Sequence, residues 1–181
     1  MGDRFSTLSP DLAQWWGEQA LFFVATAPSG DGGHVNLSPK GLDTFRVLAD
    51  DRVAYLDLTG SGIETIAHLR DNGRITIMAC AFSGNPRISR IYGRGTVHPV
   101  GSPEFADLAS RFADLPGARA IIDVVIERVT TSCGYAVPLL DLVDDRERLI
   151  EWANAKGDDG LTAYWENKNT VSIDGLPGLG A

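Results

Sequence analysis

The sequence predicts a mainly β fold with some helix (β+α), built as an antiparallel barrel or strongly curved sheet with helices packed outside it. Three observations point there. Six or so short strand-like runs arrive mostly without helices between them, so consecutive strands must be antiparallel. Clusters of Gly, Pro, Asn and Asp punctuate these runs, as tight turns require. The strand-helix-strand rhythm of a doubly wound sheet is missing. With 181 residues, 44% hydrophobic and 22% charged, the chain can build one sizeable globular core.

In chain order, Ser9-Pro10 caps a helix that carries Leu12, Trp15 and Trp16. The apolar run 21–26 reads as a buried strand, and the turn 28–33 returns it to the alternating run 34–38, forming a hairpin. A short strand at 44–48 turns at Asp50-Asp51 into a strand over 52–58. There Val53, Tyr55 and Asp57 share one face, and Ala54, Leu56 and Leu58 the other. A helix over 61–71 opens with the capping-box spacing Ser61 to Glu64 and stops at Asn72-Gly73. Strands follow at 74–80 and 88–97, then a helix from Ser102-Pro103 to about Phe112, then a strand at 120–129. The last fifty residues read as irregular structure with helices near 145–155 and 161–167, and the final Gly-Leu-Pro-Gly-Leu-Gly reads as a loose end. The expected organisation is a barrel domain with its N-terminal helix over 1–135 and a helical or irregular extension over 136–181.

Composition removes several function classes. A net charge of −8 opposes a general nucleic-acid surface. No apolar run is long enough to span a bilayer, and residues 1–6 lack the basic and apolar stretches of a signal peptide, so a cytoplasmic, membrane-free location is expected. Cys80 and Cys133 then read as thiols, and no Cys-His pattern accompanies them. His34, His68 and His98 have no metal-ligand spacing, so no metal is expected.

Gly60-Ser61-Gly62 follows a strand and opens a helix, as a dinucleotide fingerprint does. Thr65 stands where the third glycine belongs, and no acidic residue ends the strand at 74–80. The helix start still offers backbone N–H groups and a positive dipole end to an anion, with Thr59, Ser61 and Thr65 adding hydroxyls. By themselves these residues read equally as a well-capped helix, and the charge of Glu64 would oppose a bound phosphate.

Three segments in succession carry a resemblance. They are His34-Val-Asn-Leu-Ser-Pro-Lys40-Gly41, the stretch from Tyr55-Leu-Asp-Leu-Thr-Gly-Ser-Gly to Asn72, and Arg87-Ile-Ser-Arg-Ile-Tyr-Gly93-Arg-Gly-Thr-Val97. Their order and spacing, over roughly residues 20 to 130, resemble the FMN-binding split-barrel family typified by pyridoxamine 5′-phosphate oxidases. The resemblance implies a six-stranded antiparallel split β-barrel with flanking helices, working as a homodimer with FMN in a groove between subunits. It implies that Lys40 contacts the phosphate, that Ser38 and Pro39 line the flavin edge, and that Leu58 and Thr59 sit beside the ring or ribityl chain. Ser61, Gly62 and Thr65 would approach the phosphate, and Ile88 and Arg90 would come from the other subunit. The chain departs from the oxidases where their Ser-Arg-Lys phosphate clamp becomes Ile63-Glu64-Thr65, and it lacks their C-terminal arginine-histidine segment. These departures argue against pyridoxamine phosphate as substrate.

Two further groups are candidates. Arg90, Tyr92 and Arg94 share one strand face and could grip a planar anion, or could be a solvated outer face. Trp165, Lys168 and Asn169 could cover a flavin or a small-molecule substrate, or could belong to a helix packed back on the barrel with Trp165 buried. The functional expectation is an FMN-dependent oxidoreductase acting on a small molecule. The alternative is a barrel that holds flavin, deazaflavin or haem without turnover.

Overall fold

The hairpin and strand runs pair into a single sheet in the computed structural model of the chain, which describes residues 3–180. The elements run β1 (Arg4–Phe5), α1 (Pro10–Gly17), β2 (Phe22–Thr26), β3 (Asn36–Lys40), β4 (Phe45–Ala49), β5 (Arg52–Leu58), α2 (Glu64–Asn72), β6 (Arg74–Cys80), β7 (Ile88–Pro99), α3 (Pro103–Ala109), β8 (Ala118–Ser132) and α4 (Arg148–Lys168). All strand pairs are antiparallel, in the order β3-β2-β6-β7-β8-β5-β4, with β1 added along β8. The mainly antiparallel class with flanking helices is as expected. The strand number differs from the six implied for the barrel, with eight among the described residues: seven match runs read from the sequence, and the eighth, the two-residue β1, leaves no periodic signal. None of the described helices is long and apolar enough to cross a membrane.

The sheet curls around one core. Val24, Val53, Tyr55, Ile77, Ile91, Ile122 and Val124 point inward and are fully buried. Burying each such aliphatic side chain contributes about 1.5–3 kcal/mol. At one end α1 inserts Trp16, stacked on Phe45 at 5.1 Å and donating its indole N–H to Ser89 Oγ at 3.0 Å. At the other, α2 supplies Ile66 and Leu69. The outer face of β5 and β8 is covered by α3, where Phe105 and Leu108 pack on Leu56 and Ile121. Gly93 lies where β7 passes so close to β8 that a Cβ would collide with the Val125 carbonyl.

Helix ends follow local chemistry, with corrections. Ser9 caps α1 by accepting from Leu12 N–H at 3.3 Å, and Gly73 ends α2 in the left-handed region at φ 71°. The capping box at Ser61 does not form. Helix α2 begins three residues later at Glu64, and Ile63 at its cap makes no side-chain bond. Helix α3 is shorter than expected, while the C-terminal region holds two helical stretches as expected, divided within α4 at Gly157 (φ 63°, ψ 175°), a conformation only glycine adopts readily. Residues 133–147 link β8 to α4 without regular structure and leave Leu139, Leu142 and Val143 exposed.

The C-terminal segment is no loose end. Residues 169–180 fold back as a strap against α2, with an isolated bridge between Val171 and Pro177. Leu179 N–H donates to the Asn169 carbonyl at 2.7 Å, Arg70 donates to the Gly178 carbonyl, and a Cβ on Gly178 would collide with that Asn169 oxygen and with Ile63. Sequence periodicity carries no sign of such packing, because the strap is held by backbone groups and glycine contacts.

Candidate functional site

The alternation of β5 puts Asp57 on the same inward face as Val53 and Tyr55, so a carboxylate lands in the barrel interior with no exposure. A buried charge of that kind must be answered. Lys40, at the end of β3, donates to Asp57 Oδ1 at 2.8 Å, and Arg119, near the start of β8, donates to Oδ2 at 2.7 Å. Burial alone would raise the Asp57 pKa. The charges and hydrogen bonds of Lys40 and Arg119 outweigh it and hold the carboxyl below its ordinary value.

Arg119 is tied further by Asn169, which is fully buried. Asn169 Oδ1 accepts from Arg119 Nη1 at 3.0 Å, and its amide nitrogen donates to the carbonyls of Gly60 at 3.0 Å and Ser61 at 3.4 Å. Trp165 Nε1 donates to Thr59 Oγ1 at 2.8 Å, and Thr59 in turn donates to the Gly117 carbonyl at 2.7 Å. The turn from β5 into α2 is thereby held by the C-terminal helix and strap.

A second polar row runs from β3 to the first turn of α2. Asn36, Ser38 and Lys40 share the inward side of β3, each half-buried. Ser38 donates to Asn36 Oδ1 at 3.2 Å, and the Asn36 amide donates to Thr65 Oγ1 at 3.0 Å. Next to this row, His68 Nδ1 meets Thr26 Oγ1 at 3.0 Å, and burial pushes the His68 pKa down. Among the described residues, Tyr55 OH and His68 Nε2 are buried without hydrogen-bond partners.

On its strap side the start of α2 is already occupied. Glu64 Oε1 accepts from Ile173 N–H at 3.3 Å, and a Cβ on Gly62 would collide with the same carboxylate. Asp174 on the strap accepts from the backbone N–H of His34 at 2.8 Å and contacts its Nδ1 at 2.7 Å.

The structure therefore brings Ser38, Lys40 and Thr65 together and sets Thr59 close by under Trp165. Ser61 and Gly62 are exposed, Leu58 is half-buried, and Pro39 is on the outward side of β3. Ile88 and Arg90 lie on β7, away from this group, and Arg90 meets Ser132 Oγ at 3.5 Å. Arg94 bonds Glu127 and the Asn72 carbonyl, as on a solvated face. Of the C-terminal candidates, Trp165 is half-buried against Thr59, Asn169 is a buried anchor, and Lys168 is exposed. Sequence reading missed the partners of Lys40. The inward parity of Asp57 was legible, but Arg119, Asn36 and Asp174 gave no local signal.

A scan against models of known protein families gives no match. The chain is 44% identical, over 97% of its length and 77% of the relative's, to the pyridoxamine 5′-phosphate oxidase family protein ustO of Aspergillus flavus. The chain belongs to the pyridoxamine 5′-phosphate oxidase family. Solved structures agree in fold. A HupZ variant of Group A Streptococcus superposes with a TM-score of 0.56 at 21% identity, over 69% of this chain and 99% of that one. A putative pyridoxamine 5′-phosphate oxidase from Lactobacillus delbrueckii gives 0.54 at 20%, over 69% and 94%. The FAD binding protein of Mycobacterium smegmatis gives 0.50 at 16%, over 70% and 96%.

Proposed function

We propose that this family member is a cytoplasmic flavoprotein that binds FMN between two copies of the chain and acts as an oxidoreductase on a small molecule. The observation that carries the reading is the polar row from β3 to α2. The hydroxyls of Ser38 and Thr65 are linked through Asn36 beside a helix start that lacks a side-chain cap, and Lys40, bonded to Asp57, shares the Ser38 face of β3. That donor set fits a phosphate on the β3 side. It does not fit one on the strap side, where Glu64 and Ile173 meet. The family membership and the FAD-binding fold relative support a flavin.

When bound, the flavin supplies the electron or hydride transfer. The chain's own residues hold and orient it. Lys40 brings an ammonium to the row while its bond to Asp57 fixes its position, and Thr65 is fixed in orientation by Asn36. Trp165 and Asn169 hold the β5–α2 turn in place through Thr59 and the Gly60 carbonyl. Mass spectrometry of the ligand released by heating tests the cofactor, with FMN expected and FAD, deazaflavin or haem as the contrary results. Bleaching of the flavin by NADH or NADPH, with recovery in air, tests turnover.

The second copy is supported by uncovered apolar surface. Val35 and Leu37 beside and on edge strand β3 are 75% and 65% exposed, and Val143 is 95% exposed. Sedimentation is expected to give a dimer, and Leu37→Asp with Val143→Asp is expected to shift it to monomer with loss of FMN. A wild-type monomer that retains flavin would contradict the shared site.

A further inference from the structure

The interior charge cluster does not balance. Two cations, Lys40 and Arg119, share the single carboxylate of Asp57, and among the described residues no other acid lies within ion-pair distance of either. One positive charge is left over, and Arg119 is only 4% exposed, so water screens it poorly. A guanidinium has five N–H donors. Arg119 uses Nε on Asp57 and Nη1 on Gly60 and Asn169, which leaves Nη2 with no partner among the described residues.

Arg119 also forms part of the wall of a cavity of about 370 Å³ between α4, the strap and the end of β7. That volume is in the range of small-molecule sites, roughly 300–1,000 Å³. Trp165 and Leu179 give it an apolar wall, Thr162 and Thr170 add hydroxyls, and Glu166 adds one carboxylate.

We propose that this cavity is a binding site for a small monocarboxylate with a planar apolar body, its carboxylate on Arg119 and its body against Trp165. Arg119 offers a charged donor with an open Nη2 to one carboxylate. Glu166 makes the cavity hostile to a dianion, so a phosphate monoester is disfavoured. The indole is already oriented by its bond to Thr59, so its face is pre-set for a flat ligand. The site is separate from the β3–α2 row and does not depend on the flavin reading.

The test is calorimetric titration of flavin-free protein with benzoate, its neutral isostere benzamide, and inorganic phosphate. Benzoate is expected to bind about tenfold or more tighter than benzamide, the worth of a charged hydrogen bond, and phosphate to bind more weakly than benzoate. Thr162→Trp, at an exposed helix position, fills the cavity without touching its charges and is expected to abolish benzoate binding while leaving the fold intact by circular dichroism. Glu166→Gln is expected to tighten benzoate about threefold by removing a repelling charge. Absence of saturable benzoate binding, equal affinity for benzoate and benzamide, or benzoate binding that survives Thr162→Trp would each overturn the proposal.

Discussion

Asp57→Ala is expected to cost about 3–5 kcal/mol of folding stability, because it strands two cations in the barrel without their carboxylate. Asp57 has no exposure, Arg119 is 4% exposed, and among the described residues no other acid is within ion-pair distance of either cation. The expected readout is a large fall in the urea midpoint. A loss below about 1 kcal/mol, the size of a surface ion pair, would show that water reaches the cluster. The same group sets an acid limit. The Asp57 pKa in the folded chain lies below its ordinary value of 3.8. Its stabilisation is therefore complete above that value and is lost as pH falls through the folded value. Wild-type stability is expected to drop below about pH 4, and Asp57→Ala to lose that part of the drop.

Asn169→Ala is the second large effect. The side chain satisfies Arg119 and two carbonyls at once, with no exposure. Each polar group left buried without a partner costs about 1–3 kcal/mol, so the expected loss is at least the lower end of that range. The more telling readout is local. The side-chain amide pins residue 169, where the strap begins, to the Gly60 and Ser61 carbonyls, so limited proteolysis is expected to cut within residues 170–180 faster in the variant. An unchanged cleavage rate would mean that Arg70, Ile63 and the His34–Asp174 contact hold the strap without it.

Much of the architecture was legible because strands announce themselves by alternation. The hairpin of β2 and β3, the Asn72-Gly73 stop and the Ser9 and Ser102 caps follow from short-range chemistry that a single sequence carries. Helix α2 shows the limit. Ser61 and Glu64 have capping-box spacing, yet Glu64 turns toward the strap and Ile63 takes the cap position, a choice made by residues more than a hundred positions away. Lys40 shows the same limit at the site. Its segment was recognisable, but its partner Asp57 sits across the barrel, and Arg119 reaches that carboxylate only because β8 pairs with β5. Long-range pairing decides which polar residues meet, and one-dimensional spacing does not record it.

The proposed function stands on a flavin phosphate held at the row made by Ser38, Lys40 and Thr65. The most direct measurement is a fluorescence titration of FMN into flavin-free wild type, Lys40→Ala and Lys156→Ala, each checked for folding by its urea midpoint. Saturable binding at one FMN per chain, weakened about tenfold or more by loss of the charged contact in Lys40→Ala and unchanged in Lys156→Ala, is the expected result. Equal FMN affinity in the three proteins, or no saturable binding in wild type, would contradict it.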